Sequence, residues 1–332
     1  MATLGNSYFD LIDLYKLKDK KGDIAPVIEI LAQSNPILDD AIAVECNSGT
    51  EHLHTVRSGL PTVAWGKLYK GIPNDKSKTV QVTDTTGFVE GLSTVDERLL
   101  ALSGNSGAVR LGEAKAYLES MSQTMASAIF YSNSAADPEQ FMGLSPRFNS
   151  LSATNGGQIV DAGGASTDNT SIWFVSWGDN QCQLLYPKGT QAGVKRQDMG
   201  KQRVLDSDGN PYYAEEEKFI WHAGLAVKDW RYVSRIANVD VSDMAAGTVD
   251  LYKFMRKAFY KLQSRRIPGG KIAIYCNSDV MEALDALATN AGASDNFVRL
   301  GHKDIQGKEV LTYRGIPIRE TDAIINTEAR VV

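Results

Sequence analysis

Histidine and cysteine are scarce: four histidines (His52, His54, His222, His302) and three cysteines (Cys46, Cys182, Cys276) stand in 332 residues. The cysteines are too far apart for a spaced zinc site or a disulfide framework. They are expected to be small core residues of a reduced, cytoplasmic chain. No run of about 18 apolar residues is present, so no membrane-spanning helix is expected. The start, MATLGNSYFDLIDLYKLKDKKGD, scatters its charges and has no apolar signal core. Asn169-Thr170-Ser171 matches a glycosylation acceptor, but without a secretory signal the match carries no weight.

Nucleotide loops are missing as well. No Gly-x-Gly-x-x-Gly opens a helix, and no Gly-Lys pair precedes Ser or Thr. Gly143-Leu144-Ser145-Pro146-Arg147 fails as a nucleophile elbow at its last position. His52 and His54 would share one face of a strand, but no third ligand is spaced to join them. Asp206-x-Asp208 with Glu217 faintly echoes a calcium loop, yet Pro211 occupies the position that requires glycine, so a hairpin turn is expected. No catalytic residue, cofactor or metal is assigned.

What is present is an ordinary globular composition, 43% hydrophobic and 23% charged. At roughly 150 residues per domain the length fits about two units, enough to bury a core without disulfide or metal. Lys+Arg is 35 against Asp+Glu 40, a net charge of −5, which argues against a dedicated nucleic-acid binder.

The chain shows no internal repeat, and its pattern is α+β. Two short apolar-periodic pieces, around Phe9–Leu17 and Ile24–Ala32, are too short to be stable alone and need a surface to lie on. Residues 51–92 suit an extended hairpin, with strands Thr62–Tyr69 and Lys78–Thr86 about the turn cluster Gly71–Asp75. Such a ribbon has too little apolar company to be stable alone. It folds back on its own domain or finds a partner on another chain. Ser93-Thr94-Val95-Asp96-Glu97 fits a capping box. After it comes the best helix, Arg110–Tyr131, with Leu111, Ala114, Leu118, Met121, Met125 and Ala128 on one stripe. A charge placed at Leu118 is therefore expected to unfold the protein.

Residues 155–170 read as a mobile surface loop, and Ser171–Asp240 as β-rich. A helix with Leu251, Phe254, Ala258 and Leu262 in register follows, expected to run to Pro268-Gly269-Gly270. Lys253, Arg256, Lys257, Lys261, Arg265 and Arg266 form a dense cationic run on it: a solvated face, or a salt-sensitive contact with an acidic neighbour. A strand Lys271–Cys276, a helix from Asp279 to about Asn290 and a hairpin turning at Arg314-Gly315 close the chain.

Five segments carry a resemblance: Ser58-Gly59-Leu60-Pro61-Thr62-Val63-Ala64-Trp65, Ser93-Thr94-Val95-Asp96, Phe141-Met142-Gly143-Leu144-Ser145-Pro146-Arg147-Phe148, Gly224–Asn238 and Tyr313-Arg314-Gly315-Ile316-Pro317-Ile318-Arg319. In this order and over this length the chain resembles the major capsid proteins of tailed double-stranded DNA bacteriophages, which have the Hong Kong 97-type fold. The resemblance implies an N-terminal arm (1–50) and an extended loop hairpin (51–92) reaching over an adjacent subunit. It also implies a mainly peripheral domain (93–240) with spine helix 110–131 and a β-rich insertion around 151–215, then a mainly axial domain (241–332). The implied contacts between subunits are Trp65, Lys67, Tyr69, Lys70, Lys76 and Lys78 of the loop, with Arg256, Lys257 and Lys261.

The implied partners are further copies in pentamers and hexamers of an icosahedral shell, a portal, packaged double-stranded DNA bound without sequence specificity, and a decoration protein. A separate scaffolding protein is expected, because no long charge-rich helical segment precedes the arm. The implied locations are the virion capsid and, during assembly, the host cytoplasm. Rival functions are a bacterial nanocompartment shell needing a cargo protein, a tail or decoration component, and a soluble α+β enzyme acting on a small molecule through carboxylates or His222.

Overall fold

The computed structural model describes residues 33–104, 106–206, 208–265, 270–289, 301–305 and 308–332. The two apolar-periodic pieces of the arm and Arg266 lie outside the described residues. In chain order the elements are α1 (Ile37–Asp40), β1 (Ala43–Glu45), β2 (Glu51–Gly59), β3 (Lys78–Asp96), α2 (Glu97–Ser103), α3 (Ser106–Tyr131) and α4 (Leu144–Arg147). Then come β4 (Ile159–Asp161), β5 (Asn169–Trp177), β6 (Cys182–Tyr186), β7 (Val194–Leu205), β8 (Pro211–Val227) and β9 (Val233–Asp240). The last part holds α5 (Val241–Ala245), α6 (Leu251–Lys261), β10 (Lys271–Cys276), α7 (Ser278–Thr289), β11 (Gly301–Ile305), β12 (Lys308–Tyr313) and β13 (Ile316–Glu320). Two compact units result. Among the described residues one holds 33–34, 88–126 and 193–222, and the other holds 35–87, 127–192 and 223–332.

In the smaller unit, β7 and β8 form a long antiparallel hairpin from Val194↔Trp221 to Leu205↔Pro211. Its turn is closed by Asp206, whose Oδ1 accepts from the Asp208 and Asn210 amides at 3.0 and 2.7 Å, with Gly209 left-handed at φ 82°. The expected hairpin turn is therefore present. The spine helix α3 is held to this hairpin by charge. Arg110 pairs with Asp198 at 2.9 Å, Glu215 at 2.8 Å and the buried Glu217 at 2.5 Å, and Arg196 binds Glu217 bidentately. Tyr117 stacks on Phe219, with ring centroids 5.6 Å apart and planes 11° apart. A side chain at Gly91 would sit 2.8 Å from the Tyr117 ring, which is why glycine stands there.

Two expectations are corrected in this unit. Ser93–Val95 stay in β3, and Asp96 alone caps α2 by accepting from the Arg98 amide at 2.8 Å. The buried stripe of α3 runs through Val109, Ala114, Met121, Met125, Ala126, Ile129 and Phe130, whereas Leu118 is 40% and Leu111 53% exposed. Over 26 residues the 3.6-residue period carries the stripe away from a strict three-four spacing. The apolar pattern continued past the surface that it covers.

The larger unit is built on β5, buried along all nine residues. It pairs antiparallel with β9 on one side and β10 on the other, and the sheet continues through β13 to β12 and β11. Alternate residues of β5 serve opposite faces. Ile172 and Phe174 pack with Ile236 and Ile274 against Leu251, Met255 and Ala258 of α6 and Val280 and Leu284 of α7. Trp173 meets Phe130, Phe148 and, through its ring face, the Arg235 guanidinium at 4.9 Å. The three cysteines are buried and free, and burial pushes the Cys182 and Cys276 thiols up to about 12.

Residues 155–170 are not the mobile loop their composition implies. They hold a short helical turn and β4, paired with β9. Gly156 packs on the Leu151 carbonyl where no side chain fits. Glycine and asparagine serve close backbone approach here. Helix α6 ends at Lys261, earlier than expected, and β11 adds a strand that the sequence did not announce.

Arg235 and Glu328, both almost wholly buried, pair at 2.8 Å at the centre of this unit. Arg235 also donates to Ser171 Oγ at 3.0 Å and the Phe148 carbonyl at 2.7 Å. Glu328 accepts from the Tyr131 hydroxyl at 2.6 Å, and its amide reaches the Asn169 carbonyl at 2.9 Å. Burial and the adjacent carboxylate drive the Tyr131 hydroxyl far above its ordinary pKa. Asn238, left-handed at φ 58°, clamps the chain end through Val331 in both directions at 2.8 and 2.9 Å.

Glu328→Ala strands the Arg235 charge and is expected to cost about 3–5 kcal/mol, read as a lower denaturant midpoint. Met125→Asp should destabilise by a comparable few kcal/mol, while Leu118→Asp stays within about 1 kcal/mol of the parent. Thermal melts of the two helix variants side by side check that ranking.

Candidate functional site

Strands β2 and β3 pair from Glu51↔Thr85 to Gly59↔Lys78, with a register shift between Arg57 and Gly59. The 18 residues between them, 60–77, form no strand. The expected strand Thr62–Tyr69 is thus replaced by irregular chain, and the hairpin's first strand lies earlier, at Glu51–Gly59. The reason is physical: the alternation of Val63 and Trp65 describes a half-buried strand, and no neighbour among the described residues supplies the covering half. Local bonds shape the loop instead. Asp75 Oδ2 accepts from the Thr62 amide and hydroxyl at 2.7 and 2.6 Å, and these bonds hold the Asp75 carboxyl below its ordinary range. Tyr69 adopts φ 60°, the left-handed region that a bulky residue rarely enters.

Leu60, Val63, Trp65, Leu68, Tyr69 and Ile72 are all exposed, Trp65 to 96%. Isolated exposed apolar residues need no explanation, but six large ones within 13 positions do. Covering them is worth on the order of 10 kcal/mol before the cost of ordering is subtracted. Lys67, Lys70, Lys76 and Lys78 flank them and are also exposed.

The root of this loop is polar and buried. Arg147 donates to Asp84 Oδ1 of β3 at 2.7 Å, to the Leu225 carbonyl of β8 at 3.0 Å and to the Met142 carbonyl at 3.2 Å. Gly224 packs against the Thr85 carbonyl, where a Cβ would come to 2.7 Å. His52 faces Asp84 across the ladder, and His54 Nδ1 lies 3.7 Å from Asp84 Oδ2, outside hydrogen-bond reach. Desolvation is the first cause holding both imidazoles below 6.5, with Lys228 and Arg147 adding to it for His54 and Asp84 opposing.

Trp65, Lys67, Tyr69, Lys70 and Lys76 stand on the loop 60–77, and Lys78 opens β3 at its foot. Arg256 and Lys257 are exposed on α6. Lys261 differs: its Nζ is bound to the Gly157 carbonyl and to the Ile159 carbonyl at 3.1 Å, inside its own unit. His222 sits against Phe88, ring centroids 5.5 Å apart. Among the described residues no group of three or more His, Cys, Asp or Glu is placed to hold a metal, and no described helix is long and apolar enough to cross a membrane. Asp84 and Arg147, which anchor the loop, carried no sequence signal beyond the position of Arg147 in the Phe141–Phe148 segment.

A long loop rooted on a β-rich unit, together with this order of helices and strands, defines a protein of the Hong Kong 97-type fold. The chain belongs to the major capsid protein GP7 family, whose description matches residues 19–332. It is 37% identical to a chain of the bacteriophage Epsilon15 structure, covering 100% of this chain and 99% of that one at a TM-score of 0.79. The bacteriophage JBD30 capsid shares the fold at 9% identity and a TM-score of 0.51, covering 97% of this chain and 96% of that one. No curated protein matches the chain.

In the unfolded chain His52 and His54 protonate near the ordinary value of 6.5, while in the fold they stay neutral to lower pH. The unfolded state then binds more protons, so stability is full above pH 6.5 and falls as pH drops below it. His52→Gln/His54→Gln is expected to flatten the dependence of the melting temperature between pH 7 and pH 5. An unaltered slope would place the acid sensitivity elsewhere.

Proposed function

We propose that the loop at 60–77 lies over a neighbouring subunit and holds capsomers of the shell together, and that the protein works without a catalytic step. The observation behind this is the exposed apolar row Leu60–Ile72 on a buried, hydrogen-bonded root. A subunit that must stay soluble before assembly cannot carry one large apolar face. Spreading the row along a thin irregular loop keeps each residue hydrated until a neighbour covers it. Many such modest contacts repeated by symmetry close a shell.

Within the same proposal the spine helix and the β7–β8 hairpin belong to a peripheral domain, and residues 241–332 mainly to an axial domain near capsomer centres. Lys67, Lys70, Lys76 and Lys78 supply charge contacts around the apolar row. A genome container also calls for a portal, for packaged double-stranded DNA, and for a scaffolding protein that guides curvature in the host cytoplasm. A decoration protein would bind the finished surface.

Because Gly59 and Lys78 already face each other, Leu60–Ser77 can be exchanged for a two-residue Asn-Gly turn without cutting the β2–β3 ladder. This variant is expected to stay soluble with an unchanged melting temperature and to form no closed shells in negative-stain electron microscopy, alone or with a scaffolding protein. Normal particles would remove the loop from the assembly contact. Trp65→Ala alone should slow assembly and leave the subunit's stability untouched.

A further inference from the structure

Helix α6, LYKFMRKAFYK, contains four cations and no acid, and Arg265 follows it, in a chain of net charge −5. Where the fold uses arginine for its own stability, it pairs it: Arg98, Arg110, Arg147, Arg196, Arg231, Arg235 and Arg319 each meet a carboxylate. Arg57, Arg203, Arg256, Arg265, Arg314 and Arg330 meet none among the described residues, and of these Arg256, Arg265 and Arg314 gather at one place. All three are exposed, and their charges converge on one phenol, Tyr260, which is itself 54% exposed.

The cluster is built rather than scattered. The β12–β13 turn puts Arg314 at φ 52° and Gly315 at φ 79°, a left-handed pair in which arginine is the unexpected member. That strained turn carries the guanidinium over Phe259 at 5.1 Å, Tyr260 at 5.4 Å and Tyr313 at 5.8 Å. Arg265 stacks on Tyr260 at 5.0 Å, and Arg314 Nη1 donates to the Tyr260 hydroxyl at 3.5 Å. Lys253 and Lys257 flank Phe254 at 5.9 and 5.5 Å. Stacking fixes the planar forks of Arg265 and Arg314 at little entropic cost on binding and pairs neither with a carboxylate among the described residues. Pre-oriented guanidinium groups beside exposed lysines complement phosphate oxygens.

We propose that Arg256, Arg265, Arg314 and Tyr260 form a contact for the phosphate backbone of double-stranded DNA, blind to sequence. This rests on the genome-container function proposed above. Each copy would hold DNA weakly, and a shell would repeat the contact many times without immobilising the genome.

The test uses soluble, unassembled subunits and a labelled mixed-sequence duplex, with anisotropy read across 50–200 mM salt. The triple variant Arg256→Gln/Arg265→Gln/Arg314→Asn keeps the helix former at position 256 and a left-handed-tolerant residue at the turn. It is expected to flatten the slope of log K against log salt by about 2–3, near 0.9 per lost phosphate contact. Lys188→Gln/Lys195→Gln/Arg203→Gln removes equal charge elsewhere and should leave the slope unchanged. No binding by the parent, or equal slopes for parent and triple variant, overturns the proposal. So does tighter binding of a polyglutamate peptide than of DNA at matched salt, which would make the patch a dock for an acidic protein. Shell formation is scored separately by electron microscopy. If the triple variant loses shells but keeps the parental DNA slope, the patch is a subunit contact and the proposal fails. If the parent forms no shells yet binds DNA as expected, the container function fails and the contact stands.

Discussion

The larger unit depends on one buried charge pair. Arg235 and Glu328 tie β9 to the last residues of the chain, and through Tyr131, Ser171 and Phe148 they reach the end of α3, the central strand β5 and the segment after α4. Five stretches distant in sequence thus meet at one guanidinium and one carboxylate. Replacing such a buried pair by apolar residues of similar volume is often neutral for stability. What the pair adds is selectivity, because only one threading satisfies every donor and acceptor at once. Asp40 repeats the device on a smaller scale, gathering Lys271 at 2.6 Å, Tyr275 at 3.1 Å and Arg319 at 3.2 Å. Ion pairs buried at crossing points suit a protein whose outer surfaces are kept for other copies.

Much of this was legible from the residues. The α+β class, the spine helix, strand β10, helix α7 and the final hairpin follow from periodicity and turn chemistry, since each is locally consistent with its surroundings. Failures cluster where a residue answers to something distant. Leu118 fits the helical stripe by spacing and is still half in water, because the surface beneath α3 is narrower than the pattern. Gly156 and Gly164 resemble a flexible loop by composition, yet each stands where a Cβ would strike backbone or side chain. The anchoring role of Asp84 and Arg147 could not be read at all. Their meeting spans 63 positions, and nothing local to either residue announces it.

The loop at 60–77 failed for a more informative reason. Its alternation of apolar residues is a valid strand pattern, and valid strand patterns normally find cover within their own chain. Among the described residues no surface covers these side chains, so the residues obey the rule and the loop forms no strand. That conflict between local pattern and fold is what the proposed contact with a second copy would resolve.

The cationic helix presents the same logic in charge instead of apolar area. Lys253, Arg256 and Lys257 alone make a solvated face, and Lys261 shows that one member of the run has a private structural use. A solvated face, however, needs no ordering. Stacking Arg314 on three rings from a left-handed turn costs backbone strain, and the fold bears it with no carboxylate partner for Arg314 among the described residues. Scarcity of histidine and cysteine leaves this protein few reactive groups. Under the proposed roles its chemistry is distributed as surface: apolar residues held apart on a loop for its own copies, and guanidinium groups gathered around Tyr260 for phosphate.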